Sequence, residues 1–387
     1  MTAQHEPWLQ NLEMVMTGMH VRRHRRIPRP RAAAWVLTAL LGGVVACGDY
    51  SAGPVMADSP RECMDQIFQG LDRSADGNPI QLSHPTVEAM AASYGFAYGQ
   101  AASVEEARRQ HPSLGVELEL AQMEFEQRFA PSLQVIDSVL LSLGPEWREQ
   151  RRQIRQELDE RAASQTISVE EATRFIEIVS ARRLGQEDVA YVQTLLAYHP
   201  RYRESPSEEL TDGIRRVYTT DGSGRSAGVR LRLQVPVSWV GRAGERPNIV
   251  RAFISEGGRG TETFLVQVRD LDLADMDGNT AEELVQDPTL ARQLMAGSAF
   301  TELCSARTML DGLPAQALYM RGTMGSPSAE IEQIAVAYVT VVGEKLVSLQ
   351  GGVGAEGGSG DALLRRFQVF APAFGLMASS VVFEDRW

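Results

Sequence analysis

Apolar residues keep one of two periods along most of the chain, and the period changes near Asp212-Gly213. Before that point they recur with helical spacing. Ala172, Phe175, Ile176 and Val179 stand at i, i+3, i+4 and i+7, which puts them on one buried face of a helix. Ile136, Val139, Leu140 and Leu143 repeat the pattern. Leu118, Phe125 and Phe129 lie upstream of Pro131, which is expected to kink that helix or divide it in two. Ser59-Pro60-Arg61-Glu62, Ser103 with Glu106, and Ser168 with Glu171 read as capping-box starts. Gly144-Pro145 opens a further helix, in which Trp147, Ile154 and Leu158 form a narrow stripe among mixed charges, the mark of a solvated face. Gly185 suits a helix C-terminus. Residues 59–212 are therefore expected to form an all-helical domain.

After Gly213 the period becomes two. Val229, Leu231, Leu233 and Val235 alternate with Arg230, Arg232 and Gln234, a half-buried strand. Similar runs lie at Ile249–Ser255, Thr263–Val268, Ala315–Met320, Ile331–Val342 and Leu346–Gln350, with Gly343-Glu344-Lys345 a tight hairpin between the last two. Helices are expected from Thr280 to Met295 and from Asp361 to about Ala378. Successive hairpins with interposed helices predict an α+β fold, in which the helical domain precedes an antiparallel sheet with helices packed on it over 213–387.

The first 58 residues follow neither period. Six arginines between Arg22 and Arg31 precede the uncharged run Ala32–Ala46, and Cys47 follows. A cationic start, an apolar run and a small residue before the cut define a secretory signal. The run is too short for the ~20 residues that span a bilayer. Val44-Val45-Ala46-Cys47 resembles the lipobox of bacterial lipoproteins. That resemblance implies diacylglycerol on the Cys47 thiol, cleavage before it and acylation of the new amine, although Val44 and Ala46 would also suit ordinary signal-peptidase cleavage. Residues 1–46 are thus read as signal, with 1–18 an over-extended start because Met19 leaves a signal of 28 residues. Residues 47–58 are small and polar, as a lipid-proximal tether should be. Gly48 in place of an aspartate leans towards the outer membrane of a two-membrane envelope over the inner one.

Charge narrows the partners. From Cys47 onward 32 basic residues face 48 acidic ones, a net charge of −16, whereas a nucleic-acid partner calls for a basic patch. Only one lysine, Lys345, stands among the basic residues, which leaves little for Schiff-base chemistry. With Cys47 lipidated, Cys63 and Cys304 remain, and they form either one disulfide of an exported protein or two separate buried thiols.

Local motifs point to little chemistry. Gly224-Arg225-Ser226-Ala227-Gly228 matches G-x-S-x-G, but a strand follows it where a nucleophile elbow needs a helix, and no histidine lies beyond His199. Gly352–Gly357 matches G-x-G-x-x-G and reads as a loop, because the chain after it is too short for a βαβ continuation. Asp275, Asp277 and Gly278, and Asp72, Ser74, Asp76 and Gly77, each imitate part of a calcium loop without its twelfth-position ligand, and turn chemistry explains both. His84, His111 and His199 each precede a proline and show no metal spacing, so neither metal nor cofactor is expected.

The strand ending Val235-Pro236-Val237-Ser238-Trp239, the strands and helix after it, and a last helix closing on Ser380-Val381-Val382-Phe383 together resemble the PsbP-like family. The resemblance covers about Arg215 to Trp387 and rests on element order and the Pro-x-Ser-Trp corner. Members include photosystem extrinsic subunits and bacterial envelope lipoproteins of the DcrB and LpqN kind, which implies a binding or scaffolding module. The helical half is similar only to uncharacterised bacterial envelope proteins, as in Phe96-Ala97-Tyr98-Gly99-Gln100. Trp239, Arg242, Arg246 and Asn248 mark a candidate binding loop, unless Trp239 fills the core and Arg246 pairs with a carboxylate. The expectation is a membrane-anchored protein on the periplasmic face of the envelope, holding an unidentified envelope protein or ligand without catalysis. The competing expectation is an envelope hydrolase using a carboxylate in an interdomain cleft.

Overall fold

The computed structural model describes residues 56–69, 71, 80, 82–186, 190–271, 281–287, 289, 299–325, 330–356 and 360–386. The signal, Cys47 and the tether up to residue 55 lie outside them, as do the acidic turns at 72–79 and 272–280. The helices are α1 (Pro60–Ile67), α2 (His84–Gln110), α3 (Gly115–Leu143), α4 (Glu146–Ser164), α5 (Val169–Arg183), α6 (Ala190–Ala197), α7 (Pro200–Glu204), α8 (Ser207–Thr211), α9 (Ala281–Gln286) and α10 (Gly360–Ser379). Among the described residues, no helix is long and apolar enough to cross a membrane. The chain divides into two compact units, one built on residues 82–200 and the other on residues 56–80 with 201–387.

In the helical unit, Ser83 caps α2 by accepting from the Thr86 amide at 3.3 Å. This helix runs straight through the expected start at Ser103, because Val104, Glu106 and Ala107 are buried on it. Glu106 turns its carboxylate to Arg109, whose Nε donates at 2.9 Å, in place of a cap. Helix α3 continues through Pro131 and buries Leu118, Phe125, Phe129, Ile136 and Leu140. Trp147, Ile154 and Leu158 are the buried stripe of α4. Ser168 and Glu171 form a complete capping box, with Glu171 N–H to Ser168 Oγ at 3.2 Å and Ser168 N–H to Glu171 Oε2 at 2.7 Å. At the other end of α5, Gly185 adopts φ +66 and closes a Schellman motif with Gln186 N–H to Ala181 O at 3.0 Å.

The second unit carries two antiparallel sheets. Strands β1 (Arg215–Thr219), β2 (Leu231–Pro236) and β10 (Val382–Phe383) form one, in the order β1-β2-β10. The larger comprises β3 (Val240–Ala243), β4 (Ile249–Ile254), β5 (Glu262–Asp270), β6 (Phe300–Leu310), β7 (Leu313–Gly325), β8 (Glu330–Val342) and β9 (Lys345–Glu356), in the order β3-β4-β5-β9-β8-β7-β6. Gly343, at φ +59, makes the β8–β9 turn that pairs Val342 with Lys345. One face of the large sheet packs in a common core with β2 and with Phe367, Phe370 and Phe374 of α10, and the other meets Val285 of α9. The fold is α+β, helices first and antiparallel sheets after.

Two expectations change in detail. Gly352–Glu356 belongs to strand β9 and not to a loop. A Cβ at neighbouring Gly351 would lie 2.2 Å from Phe374 Cγ, so this glycine lets α10 lie close on the sheet. The division of the chain also differs from 59–212 and 213–387. Helix α1 packs on β6, and α8 packs on α10 and β2, so both belong with the sheets. Ala57 extends that attachment, its amide donating to Ser305 O at 2.8 Å on the edge strand β6. Strand β6 itself breaks the alternation the sequence would need, because a register shift between Glu302 and Cys304 buries Cys304, Ser305 and Ala306 in succession.

Candidate functional site

Strand β2 ends at Pro236, and Val237-Ser238-Trp239 turns the chain into β3. The Trp239 ring is 2% exposed, edge-on to Phe374 at 6.1 Å and tilted to Phe370 at 6.3 Å. Ser238 points the other way, to a carboxylate. Its amide and hydroxyl both donate to Glu209 of α8, at 2.8 and 2.6 Å. Glu209 is buried, and loss of hydration raises its pKa from 4.5 to about 7 against the pull of Ser238, the Val237 amide and Arg216.

The corner is coupled to a second buried group. Ser238 O accepts from the Gly257 amide at 2.8 Å, which binds the corner to the turn Ser255–Gly258. Glu256 takes the left-handed conformation there, φ +51, and its carboxylate meets Arg203 of α7 at 3.1 Å. Burial, then the nearby charge of Glu262, raises the pKa of Glu256, while Arg203 and Arg366 oppose the rise. Glu262, at the start of β5 and fully buried, pairs with Arg366 of α10 and accepts from the Ser255 hydroxyl. Each of these carboxylates thus has a cation or two donors of its own. The arrangement neutralises charge inside the fold, and it holds α7, α8, β5 and α10 on one corner.

An open groove of about 810 Å³ lies elsewhere in this unit, along β1 and the turn after it. Tyr218, Asp221, Ser223, Arg225 and Arg230 are among the residues that line it. The Tyr218 ring stands edge-on to Phe253 at 5.2 Å with the Arg251 guanidinium 5.9 Å from its centre, and burial raises its pKa. Asp221 accepts from the Ser223 hydroxyl and amide at 2.7 and 2.8 Å, which holds its pKa down. The G-x-S-x-G segment is part of this turn, and Ser226 is 2% exposed with its Oγ donating to Ser223 O at 2.6 Å. That hydroxyl staples the turn. The groove presents hydroxyls, a phenol and an exposed Arg225.

The candidate loop is not assembled as one surface. Trp239 is in the core. Exposed Arg242 donates to Gly258 O at 3.1 Å, and Asn248 Nδ2 reaches Gln267 Oε1 at 3.4 Å. Arg246 is half-buried, and among the described residues no carboxylate pairs with it. Cys63 and Cys304 are joined by a disulfide. Cys47 lies outside the described residues. Among the described residues, no three histidine, cysteine or acidic side chains gather where they could hold a metal ion. Glu209, Glu256, Glu262, Arg203 and Arg366 escaped the sequence reading. Only Glu256-Gly257-Gly258, a short run prone to left-handed backbone, hinted at a special turn there.

No protein-family model matches the chain, and no curated protein matches it. Among solved structures the chain is similar to LpqN, described as involved in cell envelope biogenesis of Mycobacterium tuberculosis. The two are 13% identical, the match covers 46% of this chain and 96% of that one, and the TM-score is 0.24.

Proposed function

We propose that the protein is an exported cell-envelope lipoprotein, anchored through lipid on Cys47, whose PsbP-like sheet unit binds an envelope component and does not catalyse. The Cys63–Cys304 disulfide carries this reading. Such bonds form and persist in oxidising compartments and are rare where glutathione keeps thiols reduced. Its first cysteine comes 16 residues after Cys47, so the bond fastens the expected tether to the edge of the large sheet. The binding role is supported by the three buried carboxylates of the corner, each held in place by arginine or serine as part of the fold. Gly48 favours the outer membrane.

Two measurements test the reading. A fatty-acid analogue fed to cells should label the wild-type protein and not Cys47→Ser, and label persisting in that variant would overturn the site of anchoring. Protein trapped with acid and alkylated after denaturation should leave Cys63 and Cys304 unmodified until a reductant is added. Immediate alkylation of both would argue against export.

A further inference from the structure

Helix α3 turns a second apolar face to water, on the side opposite its buried one. Val116, Leu120 and Met123 are 77%, 53% and 56% exposed, and their i, i+4, i+7 spacing stacks them in one stripe over two turns. On a helical wheel Glu117 and Glu124 border the stripe on one side, and Glu119 and Glu126 on the other. Arg108 compensates Glu119 at 2.8 Å, and Arg183 compensates Glu124 at 3.2 Å. Glu126 is met by the neutral amide of Gln122 at 2.7 Å, and Glu117 is exposed. Among the described residues, one negative charge with no cation paired to it therefore remains on each side of the apolar stripe.

We infer that this face docks a short amphipathic helix of another protein, with apolar residues at i, i+3 or i+4 and i+7 and basic residues on both flanks. Charge decides against the other occupants. A second copy would set glutamates against glutamates. An anionic lipid surface would meet the same glutamates. A basic helix laid along the stripe covers the apolar side chains and places its cations beside Glu117 and Glu126. The inference stands apart from the lipid anchor and from the disulfide.

The test uses the chain from residue 47 with Cys47→Ser, and two fluorescent 18-residue peptides carrying leucine at helical spacing, one with lysine elsewhere and one with glutamate. The Leu/Lys peptide should bind, and the Leu/Glu peptide should bind at least tenfold more weakly. Val116→Ser with Leu120→Ser and Met123→Ser should weaken Leu/Lys binding about tenfold or more, and Glu117→Lys with Glu126→Lys should do the same without touching the stripe. Unchanged binding in either variant overturns the inference. So does equal binding of both peptides, a dimer that Leu120→Ser dissociates, or phosphatidylglycerol vesicles retained by the wild type and released by the triple-serine variant.

Discussion

Gln100 among the helices and Glu262 beneath the sheet are both nearly sealed from water, and different chemistry ties each of them in. The Arg182 guanidinium lies 4.8 Å from the centre of the Phe96 ring and donates to Gln100 Oε1 at 3.1 Å. Gln100 passes the chain of bonds to Gln122 at 3.1 Å, and Gln122 to the exposed Glu126 at 2.7 Å. Glu262 is 0% exposed and pairs directly with the Arg366 guanidinium. A buried neutral amide that loses its partner leaves an unmade hydrogen bond. A sealed ion pair that loses a member strands a charge. The helical unit thus spreads its buried polarity outward, and the sheet unit concentrates it at a few long-range ties.

The largest test strikes that difference. Glu262→Gln should destabilise the protein by about 3–5 kcal/mol, because Arg366 then keeps a buried charge without its counter-ion. Gln100→Ala should cost about 1–3 kcal/mol, the scale of an unmade buried hydrogen bond. Urea unfolding followed by circular dichroism measures both, and equal losses would break the contrast. Replacing both Glu262 and Arg366 with methionine should recover most of the loss, since no charge is left behind.

The second tie is covalent. Cys63→Ser with Cys304→Ser should cost about 2–5 kcal/mol, because the bond closes a sequence separation of 241 residues and holds α1 on the sheet edge. Hydrogen exchange should localise the loss to α1 and β6 amides. Faster exchange throughout 82–200, with α1 and β6 unmoved, would reverse the assignment of α1 to the sheet unit.

How far the sequence reveals this architecture follows the same contrast. Spacing exposes the helical unit well, because a capping box such as Ser168–Glu171 and a C-terminal Gly185 are decided within a few residues. It errs where tertiary packing overrides a local signal, as at Ser103, whose following residues Val104, Glu106 and Ala107 are buried in a continuous helix. In the sheet unit most strands show their alternation, yet β6 does not, because its register shift depends on the partner strand. The corner is further from view. Glu209 lies 29 residues before Ser238, and Glu262 lies 104 residues before Arg366. Which of many glutamates is buried is set by the whole fold, and no local pattern distinguishes them. Trp239 shows the converse, a residue that the sequence leaves open between loop and core and that packing assigns to the core.

Glu209 gives the third test, through pH. Its folded pKa of about 7 stands above the ordinary 4.5, so between these values the folded chain holds a proton that the unfolded chain has released. Its stabilising contribution is complete below about pH 4.5 and is lost as pH rises through 7, a change on the order of 3 kcal/mol. Other carboxylates held below their usual range, among them Asp221 and Asp385, act in the opposite sense, so the quantity to read is the difference between variants. Glu209→Gln, which keeps an acceptor for Ser238 and no longer titrates, should remove that component from a plot of urea midpoint against pH. Parallel curves for the two proteins from pH 4.5 to 8 would mean that Glu209 stays ionised in its corner.

The smallest effect belongs to the helical unit and tests whether its ties are local. Ser168 satisfies the Glu171 amide, and Glu171 satisfies the Ser168 amide, within one turn of α5. Ser168→Ala should cost about 1 kcal/mol, the usual worth of an N-cap hydroxyl. Glu171→Ala should cost no more than that, because both belong to one reciprocal pair and the double variant should lose less than the sum of the two. The loss should appear as faster hydrogen exchange in the first turn of α5, with β5 and β9 unchanged. If Ser168→Ala instead loosened the strands as much as the helix, the cap would be as long-range in effect as the Glu262–Arg366 pair, and locality would no longer distinguish the two units.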